Sequence, residues 1–242
     1  METVTLVIDV RSENEFTQGH IPGALNIPLL NNEERHIVGS LYKCKGFDEA
    51  FSTGIGMVGP KMRPFLNQLS EVADKKAPVC LYCARGGMRS QAMCWLFEQA
   101  GYCVKAFRGG YKYYRQIVLS SFEKPLPLKI VCGLTGTGKT DYLKELGLKG
   151  EQVIDLEGIA KHRGSAFGAL KEQQPTQEQF ENELYEQLQT LDLQKTIWVE
   201  DECRVIGKCV IPKELFEQMI KAPSTVLENG FEERIEKILK DY

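Results

Sequence analysis

A short apolar run, LKIVCGL (128–134), passes directly into G-L-T-G-T-G-K-T (133–140), and a helical pattern, GKTDYLKELG (138–147), follows at once. No other feature constrains the fold as tightly. A strand that turns through glycines straight into a helix reaches its next parallel neighbour by a crossover, which places the segment in an α/β unit. The octapeptide fits G-x-x-x-x-G-K-[ST] at every fixed position. In such a P-loop, Gly133, Gly136 and Gly138 let backbone N–H groups converge on a diphosphate. Lys139 reaches the terminal phosphates, and the Thr140 hydroxyl is where Mg²⁺ would bind.

The 242 residues leave room for a second unit before this one. SSFEKPLPLK (120–129) marks the boundary, because Pro125 and Pro127 keep the residues before them extended and stop a helix running through. The expected division is a first domain over 1–122, a linker over 123–128 and a P-loop domain over 129–242. In the first block TLVIDV (5–10), PVCLYC (78–83) and CVKAF (103–107) read as strands. PKMRPFLNQLSEVA (60–73) and RSQAMCWLFEQAG (89–101) read as helices, the latter with Ala92, Leu96 and Ala100 on one face. Residues 31–60, rich in glycine, read as a long irregular loop. In the second block QVIDL (152–156), TIWVED (196–201) and STVLEN (224–229) are strand-like. Helices are expected over 178–191, 212–222 and 231–242. Phe180, Leu184, Leu188 and Leu191 form one stripe of the first of these. Both blocks are α/β with mainly parallel sheets.

At 43% hydrophobic and 26% charged residues the chain is neither disordered nor fibrous. No apolar run approaches the ~20 residues that span a bilayer. The start, METVTLVIDVRS, carries an acid where a signal peptide has basic residues and reaches polar Asp9 too soon, so a cytoplasmic protein is expected. Eight cysteines scattered through strand-like contexts do not resemble a disulfide framework. Cys80, Cys94, Cys103 and Cys132 read as core thiols. Charge is uneven, with twelve basic and four acidic residues over 61–130. That excess suits a polyanion such as nucleic acid, or a small anion site amid ordinary surface lysines.

The octapeptide C-A-R-G-G-M-R-S (83–90) joins the strand at 78–83 to the helix at 89–101. Backbone N–H groups of such a loop point inward, Arg85 and Arg89 add positive charge, and Gly86 and Gly87, before Met88, let the backbone close on an anion. A thiol at its mouth has a lowered pKa, so Cys83 is the expected nucleophile. In the second block Glu200, Asp201 and Glu202 end a buried strand, and Asp155 and Glu157 follow another. Asp155, Glu200 and Asp201 are the first candidates to act with the P-loop. His162 and Arg163, within DLEGIAKHRGSAFG (155–168), are candidates to meet a phosphate or nucleic acid.

DVRSENEFTQGHIPGALNIPL (9–29), CARGGMRS (83–90) and FRGGYKYYR (107–115) resemble the opening, active loop and end of a rhodanese domain. The resemblance implies a loop cysteine that carries a persulfide, and a structural role for Asp9, Arg11, Glu15, His20 and Pro22. The loop departs in one respect. Arg89 stands six residues after Cys83 where the usual sulfurtransferase has five, a spacing also found in rhodanese-like dual-specificity phosphatases, which implies a wider cradle.

With DLEGIAKHRGSAFG, QPTQEQFENELYEQL (174–188) and WVEDECRVIGKCVIP (198–212), residues 6–242 resemble the tRNA 2-selenouridine synthase family. The fold implied is a rhodanese-like domain with a central parallel sheet followed by a P-loop NTPase-like α/β domain. Members of the family geranylate the sulfur of wobble 2-thiouridine in tRNA from geranyl diphosphate, then exchange it for selenium from selenophosphate. On this resemblance Cys83 accepts selenium, and the co-substrates are geranyl diphosphate and selenophosphate. No tightly bound cofactor is implied beyond Mg²⁺ at Thr140. The partners are tRNA and a selenophosphate-supplying enzyme, with no membrane. The +8 segment, with Tyr111, Lys112, Tyr113, Tyr114 and Arg115 interleaved, is the candidate tRNA surface. The family continues in a helical segment past the position of Tyr242, so the P-loop domain is expected to be C-terminally incomplete. Three other readings remain open from the residues: a sulfurtransferase fused to a nucleotide kinase-like domain, a phosphatase using the C-x5-R loop, and a non-catalytic rhodanese-fold binding module regulated by nucleotide.

Overall fold

The computed structural model describes residues 6–162 and 173–241. The chain divides into two compact units, Met1–Ile117 and Val118–Tyr242. In the first, β1 (Leu6–Asp9), α1 (Glu13–Gln18) and β2 (Leu25–Asn26) lead into α2 (Asn32–Lys45), α3 (Phe47–Val58) and α4 (Met62–Val72). Then come β3 (Val79–Tyr82), α5 (Met88–Gln99), β4 (Val104–Ala106) and α6 (Gly110–Ser121), the last spanning the division. The sheet is parallel throughout in the order β2-β1-β3-β4, with Ile8 facing Leu81. Its core is built from Ile8, Val10, Leu69, Leu81, Met93 and Phe97. Because β1 and β3 are neighbours while their crossovers leave in opposite directions, a crevice opens at their carboxyl ends. Cys83 directly follows β3 there.

The expectation of an irregular loop over 31–60 is corrected, since those residues form α2 and α3 around Gly46. The signal outweighed by the glycines was a cap. Asn31 accepts from the N–H of Glu34 at 2.9 Å, and the Glu34 carboxylate accepts from the N–H of Asn31 at 2.9 Å, a reciprocal pair that starts a helix. Of the expected α5 face, Leu96 and Ala100 pack partly buried against the core, and Ala92 alone is corrected. Met93, Cys94 and Phe97 are buried and Ala92 is exposed, because the larger side chains remove more apolar surface from water. Cys103 is exposed, and Cys80 and Cys132 are only partly buried, so of the four expected core thiols Cys94 alone is fully enclosed.

The second unit runs β5 (Leu128–Cys132), α7 (Lys139–Leu148), β6 (Gln152–Ile154), α8 (Leu156–Ala160), α9 (Gln177–Gln189) and β7 (Ile197–Glu200). A two-residue-stranded hairpin, β8 (Val205–Ile206) and β9 (Cys209–Val210), precedes α10 (Lys213–Lys221), β10 (Ser224–Val226) and α11 (Phe231–Asp241). The main sheet is parallel in the order β10-β5-β7-β6. Ile130, Val131, Ile154, Ile197 and Val199 fill its core with Phe180 and Leu184 of the expected α9 stripe. No described helix is long and apolar enough to cross a membrane.

Candidate active site

The first unit places the Cys83 loop on a scaffold of buried charge. Arg11 is 4% and Asp9 0% exposed, and they form a forked ion pair with contacts of 2.6–3.0 Å. Arg11 also donates to the carbonyl of Gly19 at 2.6 Å and lies 3.8 Å from the Tyr111 ring centroid. A buried pair is tolerable only where further contacts offset its desolvation, as the Gly19 carbonyl and the Tyr111 ring do here. His20 stacks on Phe16 with centroids 3.8 Å apart, and its Nδ1 lies 3.0 Å from the Phe16 carbonyl. It belongs to the scaffold. Tyr111 and Tyr114 are buried in a stack with Tyr82, which removes both from the expected nucleic-acid surface. Lys112 and Tyr113 remain exposed.

The start of α6 then fixes the loop. The N–H groups of Tyr111 and Lys112 donate to the carbonyls of Cys83 and Ala84, each at 2.9 Å. With those carbonyls turned toward α6, the loop N–H groups are free to face the thiol. Gly110 permits this approach, because a Cβ there would lie 2.2 Å from the Cys83 carbonyl oxygen and 2.4 Å from the Gly86 nitrogen. Its φ of +60° is also in the left-handed region. Gly110 and Ser90 shape the cysteine loop, and the loop spacing alone did not single them out.

Cys83 is 3% exposed at the entrance to α5, with Sγ 3.3 Å from the Ser90 hydroxyl. Burial opposes ionisation, but the Ser90 hydroxyl and the backbone N–H groups of Arg85, Ser90 and Gly87 outweigh it. They hold the thiol below its ordinary pKa. Burial instead pushes Cys94 and Cys209 up to about 11. Arg89 is not aimed at the thiol: it grips the Glu15 carboxylate at 2.6 and 3.2 Å. Burial would raise Glu15, yet Arg89, the Ser12 N–H and Arg35 hold it below the usual carboxylate range. Arg85 and Met88 are exposed at the rim, and Gly87 caps α5. The cradle is therefore backbone N–H and hydroxyl first and guanidinium second.

Replacing Ser90 by alanine is expected to raise the Cys83 pKa by about one pH unit, because a hydrogen bond to a charged group is worth about 1.5–3 kcal/mol. The pH dependence of iodoacetamide alkylation measures it. An unchanged midpoint would show that the backbone alone sets the thiolate.

In the second unit β5 delivers the P-loop and α7 leaves it. Gly138 caps α7 at φ +84°, a left-handed conformation that a side chain there would strain. Gly133 and Gly136 complete the turn. The Lys139 ammonium arches back to the Gly133 carbonyl at 3.1 Å and to Glu200 at 3.5 Å. Thr140 donates to Glu200 at 3.1 Å. Glu200, at the end of β7, is thus the acid that meets the P-loop. Asp155 instead caps α8, accepting from the N–H of Gly158 at 2.8 Å. Asp201 is exposed, with its own N–H held by the Val131 carbonyl at 3.0 Å. His162 ends the described stretch with Nδ1 buried and unpartnered among the described residues. Arg163 lies outside the described residues.

Burial and the neighbouring Glu157 push the Glu200 carboxyl up, against Lys139 and Thr140. Glu202 is pushed up to about 8, first by burial and then by Glu157, Glu200 and Asp201. No three His, Cys, Asp or Glu side chains among the described residues are arranged to chelate a metal. Crowded carboxyl oxygens beside a threonine hydroxyl still match Mg²⁺, which takes one or two carboxylates and completes its shell with water and substrate phosphate.

A pH dependence follows. The unfolded Glu202 titrates near 4.3, so the native state holds a proton that the unfolded chain has already released. The stability this gives is full below about pH 4 and is lost as pH rises through 8. Glu202→Gln is expected to flatten the fall in stability between pH 6 and 8.5. At the upper end the gain is about 1–2 kcal/mol, reduced by solvent screening of a partly open group. Urea unfolding at the two pH values measures it. An unaltered slope would contradict the crowding.

Fold and site together define a protein in which a rhodanese-type domain, its loop cysteine held below the ordinary thiol pKa, precedes a P-loop domain. The family model for the rhodanese-like domain matches residues 1–116, and that for the tRNA 2-selenouridine synthase AAA domain matches residues 126–242. Over 98% of its length the chain is 40% identical to a tRNA 2-selenouridine synthase of Pseudomonas putida (strain W619), of which it covers 66%. It is likewise 40% identical to one of Cupriavidus pinatubonensis, covering 66%, and 39% identical to one of Pseudomonas syringae pv. syringae, covering 65%. The chain belongs to the tRNA 2-selenouridine synthase family. It spans just under two thirds of the length of these relatives.

Proposed function

We propose that this chain modifies wobble 2-thiouridine in tRNA in two steps divided between its two sites. In the first, the 2-thio sulfur attacks C1 of geranyl diphosphate. The C–O bond breaks and diphosphate leaves into the P-loop, where backbone N–H groups and Lys139 stabilise its charge as it develops. No nucleotide hydrolysis is needed. In the second, selenophosphate sits in the Cys83 loop, where the thiolate attacks phosphorus. An S–P bond forms, the P–Se bond breaks to release selenide, and water later hydrolyses the S–P bond to regenerate the thiol. Selenide attacks C2 of the alkylated base, sulfur leaves as geranylthiol, and the phosphoryl group ends as inorganic phosphate. Selenium enters and sulfur leaves at the same oxidation level, so no oxidant or reductant is consumed. Alkylation matters because it turns a poor sulfur leaving group into a good one.

The observation that carries this reading is the pairing, in one chain of this family, of a thiolate nest at Cys83 with a complete P-loop closed by Lys139, Thr140 and Glu200. Mg²⁺, when bound, offsets diphosphate charge, and Thr140 with Glu200 would hold it directly or through water. Exposed Lys105, Arg108, Lys112 and Tyr113 supply a basic, stacking-competent surface for tRNA. Selenophosphate comes from a separate enzyme, and the work is done in the cytoplasm.

The test is mass spectrometry of nucleosides from 2-thiouridine tRNA incubated with the protein and geranyl diphosphate, before and after selenophosphate is added. The expected sequence is geranylated thiouridine, then selenouridine. Unaltered thiouridine throughout would overturn the proposal. Phosphatase or sulfurtransferase activity alone would favour the readings built on Cys83 without the P-loop.

A further inference from the structure

In the first unit one carboxylate holds two guanidiniums. Glu15, in the first turn of α1, takes two donors of Arg89, at 2.6 and 3.2 Å, and its Oε2 also lies 3.6 Å from Nε of Arg35 on α2. The N–H of Ser12 donates to the same oxygen at 3.2 Å, which closes the cap of α1 and fixes where the carboxylate stands.

Arg89 belongs to the loop that surrounds the thiol. Gly87 before it and Ser90 after it both meet Sγ, the first through its carbonyl at 3.9 Å and the second through its hydroxyl at 3.3 Å. The loop thus bends around Sγ with Arg89 between those two contacts. Rotation of that one side chain would carry its guanidinium from Glu15 to an anion seated against the loop N–H groups. The guanidinium is always charged, and its planar fork fits a carboxylate and a phosphorus oxyanion alike. Glu15 and an incoming oxyanion therefore compete for the same donors. The carboxylate brings one charge, whereas a phosphate group brings nearly two and three acceptor oxygens.

Arg35 makes the exchange reversible. A partly buried carboxylate stripped of every partner would be costly. Glu15, with its side chain 27% exposed, keeps Arg35 and the Ser12 N–H after Arg89 leaves. The Arg35 side chain lies along α2 where Gly39 leaves it room, since a Cβ there would stand 2.6 Å from its Nη1.

We propose that Glu15 is a latch on the Cys83 loop, holding Arg89 at rest and yielding it to a tetrahedral phosphorus oxyanion. Glu15 is then a positioning residue that acts through Arg89 and sets the affinity of the loop for its anion. The inference rests on the reading of the Cys83 loop as the selenophosphate site, and the test separates the two.

The experiment measures how inorganic phosphate protects Cys83 from iodoacetamide in the intact chain, read on the Cys83 peptide by mass spectrometry. The phosphate concentration for half protection is expected to fall roughly tenfold in Glu15→Gln, the scale of one hydrogen bond to a charged group. Glutamine still closes the capping box, so α1 keeps its start. Glu15→Asp keeps the charge but shortens the reach to Arg89, and should give a smaller fall in the same direction. The pair keeps the test decisive if one variant is unstable. When Arg89→Gln is combined with Glu15→Gln the fall should disappear, the non-additivity expected of a residue that acts through another. No fall in either single variant would overturn the latch while the anion site stands. A fall of full size without Arg89 would also overturn it, since Glu15 would then act through its charge alone. If phosphate protects Cys83 in no variant, the loop is not an anion site and both readings fall.

Discussion

Lys139→Ala is expected to reduce geranylation of 2-thiouridine tRNA by roughly 100-fold or more, the loss typical of removing one preorganised donor from a developing anion. The ammonium bridges the Gly133 carbonyl and Glu200, so it both reaches the diphosphate cradle and neutralises part of a crowded acid cluster. Removing it takes away a phosphate contact and leaves Glu200 and Glu202 without the cation that lowers both. The deficit should appear chiefly in kcat/KM, because the charge to be stabilised grows as diphosphate departs. Lys139→Arg should recover little, since a planar fork does not fit a position shaped for a compact ammonium. Nucleoside mass spectrometry gives the yield. Geranylation at the wild-type rate would contradict the role.

The second large effect is expected at Cys83. Cys83→Ser should stop selenium incorporation, by roughly 1,000-fold or more, while geranylated thiouridine accumulates. An unactivated hydroxyl beside the same N–H groups is a far weaker nucleophile than a thiolate held below its ordinary pKa. Serine nearly preserves the size of the side chain, so the contacts of Gly110 and Ser90 with the loop survive the change. Loss of both steps together would mean that the loop, not the thiolate, was disturbed. Retention of both would make Cys83 a packing residue.

The two sites were legible in the sequence to different depths, for physical reasons. Motifs confined to one strand–loop–helix segment carry their geometry with them, so Cys83, Lys139 and Thr140 could be placed from spacing alone. What spacing does not encode is contact between segments distant in sequence. Glu15 occupies Arg89 across 74 positions, Gly110 is the floor of the cysteine loop, and Glu200 rather than Asp155 or Asp201 meets Thr140. Three acids at strand ends look alike until the sheet order brings β5 beside β7 and one of them alongside the P-loop. Likewise Tyr111 and Tyr114 read as a stacking surface because helical period does not say which face meets Arg11. Residues 31–60 read as a loop because Gly39, Gly46, Gly54 and Gly56 outweighed the reciprocal Asn31–Glu34 cap. Their propensity cost is real but small against tertiary packing.

The account's central claim is that the P-loop serves the first step only and Cys83 the second. Supplying already geranylated tRNA and selenophosphate to the Lys139→Ala chain tests it most directly, with the nucleosides read by mass spectrometry. The division predicts selenouridine at close to the wild-type yield, since the diphosphate step has been bypassed. Failure to convert geranylated tRNA, with the variant folded and its Cys83 alkylated at the wild-type rate, would contradict it and make the P-loop a participant in selenium transfer.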